Sequence, residues 1–384
     1  MMLLVAVLTG CVAVIGANSL ALGPIAPAIA RDLGSGIATT MVAAAVYGFG
    51  TTLGALFLSR LIDGLGVKQA LSGALLGLVV AFIASAAAPS IAVLIAAQFA
   101  AGLAAGIGLP AIYAFTAVIA PRGQESTVLG RVLVGWTISM VAGVSLSSLL
   151  ADLLHWRFVY GGLALCAAGA FLALRHLAPH TDPNPAGSSG SALSALAIPG
   201  VLPLIGICLA YMTAFYGTYA YLGDHIHTVL GLPVSAGGLA ALVYGAGFGA
   251  AAFANPLVDR FGRSRVMPAS FLFIAIIYAL IGLVDQAYGA LLVLCLGWGL
   301  ANHFGLNLIV AGLSEIRPDR RGSILGLNSA ATYLAASTGA LAFGPLYEVY
   351  GFSSLAFTAA LLTAGAALLA VYSGRPGRAV RGPA

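Results

Sequence analysis

The chain has 384 residues, of which 61% are hydrophobic and only 7% are charged. So few charges could not cover the surface of a soluble protein of this length, so the composition excludes a soluble globular domain and indicates a protein embedded in lipid. The formal net charge of +5 does not indicate a nucleic-acid partner, because the basic residues follow the membrane topology derived below.

Apolar runs of about 20 residues, the length that crosses a bilayer as a helix, recur along the whole chain. The first half contains six, at residues 3–28, 37–58, 69–88, 91–120, 129–151 and 158–177. The second half contains six more, at residues 198–222, 234–254, 266–284, 288–313, 323–343 and 354–372. A Pro-, Gly- and Ser-rich linker separates the halves at 180–195. The sequence therefore predicts an all-α membrane protein with twelve transmembrane helices, divided into six-helix bundles at 1–179 and 196–384.

The basic residues support this count of spans. When loops are assigned alternately to the two sides of the membrane, fourteen of the 16 Lys and Arg residues fall on one side, and Arg31 and Arg157 fall on the other. The positive-inside rule places the richer side in the cytoplasm, together with both termini and the linker. We expect a multi-pass protein of the inner cell membrane that acts as a monomer.

Two copies of a short charged pattern interrupt the apolar runs after spans two and eight. The copies consist of Asp63, Gly66 and Lys68, and of Asp259, Arg260, Gly262 and Arg263. The two aspartates are 196 residues apart, and the same offset aligns the segment 127–130 (TVLG) with 323–326 (SILG). A duplicated half in a membrane chain is typical of an alternating-access transporter.

On these motifs the chain resembles the major facilitator superfamily, in particular the twelve-span drug:proton antiporters that include sugar and chloramphenicol efflux carriers. The family signature after span two is approximately G-x-L-x-D-R-x-G-R-K. The second copy fits it from Asp259 onward, whereas the first has Ser59 in place of Gly and lacks the Arg after Asp63. The resemblance implies two pseudo-symmetric six-helix bundles and a charged gate that joins them on the cytoplasmic side in one state. Helix caps and topology signals are the alternative explanation for these charges.

Proton coupling needs a titratable group at membrane depth. With these spans the eleven carboxylates fall in loops or at span ends, whereas His303 lies near the middle of span ten, with Asn307 one turn further on the same face. His303 is the first proton-coupling candidate, since histidine titrates near physiological pH. A neutral histidine bonded between helices is the alternative. Asp224 is the second candidate, although the outer end of span seven favours a solvated loop.

In the family fold, spans one, four, seven and ten line a central cavity. The polar and aromatic candidates for substrate contacts on these spans are Asn18, Gln98, Tyr113, Tyr211, Tyr216, Asn302 and Asn307. The predicted cavity contains no Arg or Lys, which favours a neutral or weakly cationic amphipathic small molecule. No Walker A sequence is present, so ATP does not drive this chain directly. We expect no enzymatic activity, no cofactor and no metal site.

The sequence thus predicts a secondary active transporter that exports a small drug-like or metabolite compound by proton-coupled alternating access. Ser145 stands where the fifth-span antiporter motif usually has Pro, and Gln98 stands where many relatives carry Arg. A sugar or metabolite uniporter or symporter is therefore an alternative. A membrane scaffold or sensor that has kept the fold without transporting is an alternative of another class.

Overall fold

The computed structural model describes residues 2–58, 60–121, 124–177, 192–254, 260–317 and 320–373. Within these ranges the chain is helical and contains no strand. Twelve long helical segments, numbered α1 to α12 below, lie where the sequence predicts twelve spans.

The first half begins with α1 (Met2–Leu33) and with α2 (Ile37–Leu53), which a π-helical turn at Gly54–Leu58 continues. A short helix at Arg60–Leu65 leads to α3 (Val67–Ala86) and α4 (Ile91–Ile119). Helix α5 comprises Glu125–Ile138 and Ser145–Leu153, joined by a π-helical turn at Ser139–Val144, and α6 is Trp156–Leu177.

The second half starts with a 3₁₀ turn at Ala192–Ala197 and α7 (Val201–Asp224), which a π-helical turn at His225–Val229 continues. Helix α8 (Val234–Ala250) ends in a 3₁₀ turn at Ala251–Ala254. The remaining helices are α9 (Arg263–Leu283), α10 (Tyr288–Ile316), α11 (Arg321–Tyr350) and α12 (Phe352–Ser373).

Ten of these segments are long and apolar enough to cross a membrane. Of the other two, α8 is a shorter apolar helix. Helix α11 is 30 residues long but buries Ser323, Asn328 and Ser337, which makes it more polar. Several helices run past the predicted ends. In particular, α7 continues to Val229, so Asp224 lies inside a helical segment.

The helices pack in the same pattern in both halves. In the first half α3 packs against α4 and α6, α4 packs against α2, and α1 packs against α5 and α6. Each corresponding pair in the second half also packs: α9 with α10 and α12, α10 with α8, and α7 with α11 and α12. This repeated packing is what a duplicated six-helix unit requires. The division at 1–179 and 196–384 stays a prediction, and residues 180–191 of the linker lie outside the described ranges.

In each half, a glycine allows the second and fourth helices to cross closely: α2 with α4, and α8 with α10. A Cβ atom at Gly102 of α4 would lie 2.2 Å from the carbonyl oxygen of Tyr47 on α2. A Cβ atom at Gly299 of α10 would lie 2.0 Å from the carbonyl oxygen of Tyr244 on α8. Glycine at these positions lets the backbones touch, which is how membrane helices gain packing energy without a hydrophobic effect between them.

Candidate functional site

The halves meet mainly through three helix pairs, α1–α7, α2–α11 and α5–α8, with a smaller contact between α1 and α8. Backbone acceptors on one half take hydrogen bonds from the other: Thr52 Oγ1 donates to the carbonyl of Ala330 at 3.2 Å, and Ser145 Oγ donates to that of Gly238 at 3.1 Å. Ser235 Oγ donates to Asp152 Oδ2 at 2.7 Å. These contacts between the halves are single hydroxyl hydrogen bonds.

Helices α1 and α7 cross at equivalent positions of the duplication. A Cβ atom at Gly23 would lie 3.2 Å from the carbonyl oxygen of Tyr219, and an Arg31 guanidinium nitrogen lies 2.7 Å from Nε2 of His227. Residues 23 and 219 differ by the same 196 positions as residues 31 and 227. Equivalent residues meet only on a pseudo-two-fold axis. Because they meet at two heights along the same helix pair, the axis runs along the helices, and the halves are parallel rather than inverted repeats.

A small cavity lies beside this axis, between the two halves. Its volume is about 20 Å³, which is room for about one water molecule. Its lining comes from α1, α2, α7 and α11 and consists of Ser19, Leu20, Gly23, Met41, Ala44, Tyr47, Tyr216, Tyr219, Ala220, Ala336 and Ala340. The lining is apolar apart from hydroxyl groups and carries no charged side chain. The cavity is therefore too small to hold a cargo molecule in this conformation.

A buried polar chain supports the cavity from the first half. Asn18 Nδ2 donates to Gln98 Oε1 at 3.0 Å, and Gln98 Nε2 donates to Ser85 Oγ at 3.1 Å, which ties α1 to α4 and α3. Among the described residues, Asn18 Oδ1 and the hydroxyl of Tyr333 are buried without a hydrogen-bond partner. Unsatisfied buried oxygens are uncommon, and these two lie on α1 and α11, which both line the cavity.

The candidates on α10 lie against α8 rather than in this cavity. Asn302 Nδ2 donates to the Tyr244 hydroxyl at 2.8 Å, and the Tyr211 hydroxyl donates to the carbonyl of Asn302 at 3.1 Å. His303 is 8% exposed; its Nε2 lies 2.8 Å from Asn307 Nδ2 and its ring centroid 5.1 Å from that of Phe248. The predicted shared face of residues 303 and 307 is present; His303 is buried inside the second half, whereas Asn307 is exposed.

Asp224 is buried, with 7% of its surface exposed, so the expectation of a solvated loop at this position is wrong. Tyr347 of α11 donates a hydrogen bond to Oδ2 at 2.6 Å, and Thr228 donates to Oδ1 at 2.9 Å. The physical reason is that α7 continues as a π-helical turn to Val229, which holds Asp224 between α7 and α11. The carboxylate lies one helical turn beyond Ala220 of the cavity lining.

A charged cluster at the predicted outer end of the first half was missed as a unit. The carboxylate of Asp32 on α1 pairs with Arg157 and accepts a bond from Trp156 Nε1 at 3.0 Å, while His155 lies 3.5 Å away. Arg157 also donates to the carbonyl of Ala88 at 2.9 Å. In the sequence, this cluster is indicated only by the Asp after span one and the Trp-Arg pair after span five. These residues become neighbours only when α1, α3 and α6 pack together.

The corresponding cluster in the second half uses a different charge pattern. Ser353 Oγ donates to Asp285 Oδ2 at 2.7 Å. His225 stacks on Phe352 with ring centroids 4.6 Å apart, and its Nε2 lies 2.8 Å from the carbonyl oxygen of Asp285. Like the Asp32 cluster, this one ties the first helix of its half to the loop before the fourth and to the start of the sixth.

The gate motif is only partly described. Gly66 and Gly262 have φ of +83° and +80° and start α3 and α9, so both make the predicted tight turn. Lys68 Nζ donates to the carbonyl of Arg175 at the end of α6 at 3.3 Å, and Arg263 pairs with Glu315 on α10. The Arg260 guanidinium lies over the ring of Phe261. The Asp63 side chain and all of Asp259 lie outside the described part of the chain. The basic contacts seen here stay within one half.

Of the seven predicted substrate contacts, Tyr216 lines the cavity, and Asn18 and Gln98 support it from behind. Tyr113 is half-buried beside Trp136. Asn302 and Tyr211 belong to the packing between α7, α8 and α10, and Asn307 is exposed and contacts His303. Sequence reasoning missed Ser19, Tyr47 and Tyr219. Tyr47 could have been found only by also searching span two.

Two similar parallel halves with a small cavity between them are the architecture expected of a membrane transporter that arose by duplication. The family model of the Major Facilitator Superfamily matches residues 8–257 and 230–383. The chain belongs to the Major Facilitator Superfamily, and it is accordingly a transporter rather than an enzyme.

Known proteins agree with this assignment. The chain is 26% identical over 382 residues to the "Uncharacterized MFS-type transporter YwfA" of Bacillus subtilis (strain 168), covering 97% of this chain and 92% of the relative. It is 23% identical over 245 residues to the "Probable sugar efflux transporter" of Pasteurella multocida (strain Pm70), covering 63% and 60%.

Solved structures show the same fold. The D-xylose-proton symporter superposes with a TM-score of 0.78 at 16% identity, covering 96% of this chain and 97% of that one. The human organic anion transporter MFSD10 (TETRAN) superposes with a TM-score of 0.72 at 16% identity, with the same coverage.

Proposed function

We propose that this transporter exports a small, uncharged organic molecule in exchange for protons. The observation that carries the proposal is the cavity between the halves, whose lining combines tyrosine and serine hydroxyls with Leu20, Met41 and alanines and carries no charge. Such a lining suits a cargo with hydroxyl or carbonyl groups on one side and apolar surface on the other. The name of the sugar efflux relative agrees with a cargo of this chemistry.

The proposal includes Tyr47 and Tyr216 as cargo contacts from opposite halves. The Tyr47 hydroxyl donates to the carbonyl of Ile15 at 3.2 Å, and Tyr216 interacts with Ser19 across the α1–α7 interface. The unpartnered oxygens of Asn18 and Tyr333 lie on the same helices as the lining and would gain a partner from a bound hydroxyl. Because one hydrogen bond contributes about 0.5–1.5 kcal/mol, Tyr47→Phe or Tyr216→Phe should raise KM about 2- to 10-fold.

Asp224 is the proton site that we propose first. It is a buried carboxylate on α7, one turn from the cavity, and Tyr347 connects it to α11, the other lining helix of its half. Protonation of Asp224 would neutralise the carboxylate that accepts the hydrogen bond from Tyr347. The contact between α7 and α11, two helices that line the cavity, would then change. His303 remains the alternative site; it is buried near the middle of α10, bonded to Asn307.

The experiment is transport in proteoliposomes with an imposed pH gradient. The probes are a panel of labelled neutral sugars and chloramphenicol, and proton movement is followed with a trapped pH-sensitive dye. Antiport predicts that adding a cargo dissipates the gradient and that reversing the gradient reverses cargo flow. A symporter predicts the opposite sign, a uniporter predicts flux without pH dependence, and a scaffold predicts no flux.

Three variants separate the proton sites. Asp224→Asn should abolish gradient-driven transport but keep exchange of labelled for unlabelled cargo, which needs no proton cycle. His303→Gln should do the same only if His303 is the coupling group. Asp285→Asn is the matched control, because Asp285 is also a buried outer-end carboxylate bonded by a hydroxyl but lies away from the cavity. Full gradient-driven transport by Asp224→Asn would refute its role.

A further inference from the structure

The contact between Arg31 and His227 fixes the protonation state of the histidine. An arginine side chain only donates hydrogen bonds, so His227 Nε2, 2.7 Å from an Arg31 guanidinium nitrogen, must accept. Nδ1 of the same ring lies 2.7 Å from the carbonyl oxygen of Leu232. A carbonyl oxygen only accepts, so Nδ1 must carry the hydrogen. The ring that satisfies both bonds is therefore neutral.

This contact joins the two halves at the end of the helices that form the pseudo-two-fold axis. Arg31 lies in the last turn of α1, and His227 lies in the π-helical turn that ends α7. Both residues lie beyond the close crossing of Gly23 with Tyr219. A rocking motion that opens the cavity toward this end must separate Arg31 from His227.

The other charged and titratable groups on the surrounding elements bind partners of their own or lie outside the Arg31–His227 contact. Asp32 pairs with Arg157 and His155; Asp152 accepts from Ser235; Asp224 accepts from Thr228 and Tyr347. His225 is bonded to the Asp285 backbone and Asp285 to Ser353. Glu348 is exposed beside Tyr221. In the described part of the chain, no carboxylate bridges the Arg31–His227 pair.

We propose that Arg31 and His227 form a proton-sensitive contact that holds these ends of the two halves together while His227 is neutral and releases them when it is protonated. Protonation places a hydrogen on Nε2, which removes the only acceptor in the contact and sets two cations against each other. Acidification should therefore favour opening at this end.

The inference goes beyond the proposed function, because it concerns opening without cargo and requires neither antiport nor Asp224. The test is the distance between spin labels on Leu154→Cys and Tyr350→Cys in the full chain in lipid nanodiscs. These residues are 62% and 71% exposed and belong to different halves at the same end. Of the four cysteines, Cys166 is exposed and is replaced by alanine, and the other three are buried.

Between pH 7.5 and 5.5 we expect the ratio of open to closed distances to rise about tenfold, the effect of losing one charge-assisted hydrogen bond. His227→Gln keeps an acceptor for Arg31 and cannot titrate, so it should stay closed at both pH values. His227→Lys should be open at both. His155→Gln, which alters another histidine at this end, should keep the wild-type response.

An unchanged pH response in His227→Gln, or no pH response in the parent protein, would overturn the inference. Asp224→Asn should still respond to pH if the proposed contact is correct. Failure of the Asp224 assignment in the transport assay and failure of this contact can therefore be told apart.

Discussion

Replacing Gly223 with alanine should hold the ends of α1 and α7 apart. A Cβ atom at this position would lie 2.6 Å from Cα of Pro24 and 3.0 Å from the carbonyl oxygen of Gly23. These neighbours are backbone atoms of the other half and cannot rotate away. Ordinary contacts begin at 3.4 Å, so the helices must separate by about 0.8 Å to admit the methyl group.

The magnitude follows from the cost of overpacking. A methyl group inserted into a well-packed interface costs about 1–3 kcal/mol, and 1.4 kcal/mol is a factor of about ten. The closed-to-open ratio at this end should therefore fall about 5- to 150-fold. The free energy of unfolding should change much less, because the two halves can relieve the clash by moving as units.

The assay is the labelling rate of Ser19→Cys by a membrane-impermeant maleimide in a background where Cys166 is alanine. Ser19 lines the cavity, so labelling from this side requires the ends to open. Gly206→Ala on the same helix is the matched control, because a Cβ atom at Gly206 has nothing within 4 Å. If Gly223→Ala melts like its parent and labels at the parental rate, the reasoning that this crossing closes the cavity is wrong.

Three further substitutions test other parts of the fold by thermal melting in lipid. Gly299→Ala should prevent correct folding, since a backbone carbonyl lies 2.0 Å from the new Cβ atom and α8 and α10 belong to the same half. Gln98→Leu should cost about 1–3 kcal/mol by leaving the buried amide of Asn18 without its acceptor. Gly262→Ala should cost about 1–3 kcal/mol because φ is +80° and ψ is 142°, whereas Gly64→Ala, in a helix with open space around it, should be neutral.

The number and order of the helices could be predicted from sequence because each depends on local composition. Apolar length defines a span without reference to its neighbours, and this held even for α11, whose buried Ser323 and Asn328 lower its hydropathy. The turns at Gly66 and Gly262 were predictable for a similar reason. A charged, glycine-containing interruption of an apolar run has few conformations open to it.

The lining of the cavity could not be predicted in the same way. It depends on the rotation of each helix about its own axis, which packing sets and which the weak amphipathicity of buried membrane helices does not report. Tyr216 lines the cavity, while Tyr211, five residues earlier on the same helix, donates to the backbone of α10 instead. Asp224 was assigned to solvent because the end of α7 could not be read from hydropathy, since the π-helical turn after it carries two histidines.

The pseudo-two-fold axis explains why the two halves keep the same glycine turn in the gate motif but carry different residues where they meet on the axis. A residue on the axis meets its own copy, so an identical large or charged residue on both halves would clash or repel. The pairs found there are unlike: Gly23 faces the backbone of Tyr219, and Arg31 faces His227. Away from the axis no such constraint acts, and Gly66 and Gly262 keep the same backbone conformation. Divergence at these two self-facing positions avoids a clash and a repulsion between like charges, and it allows the asymmetric Arg31–His227 contact proposed above.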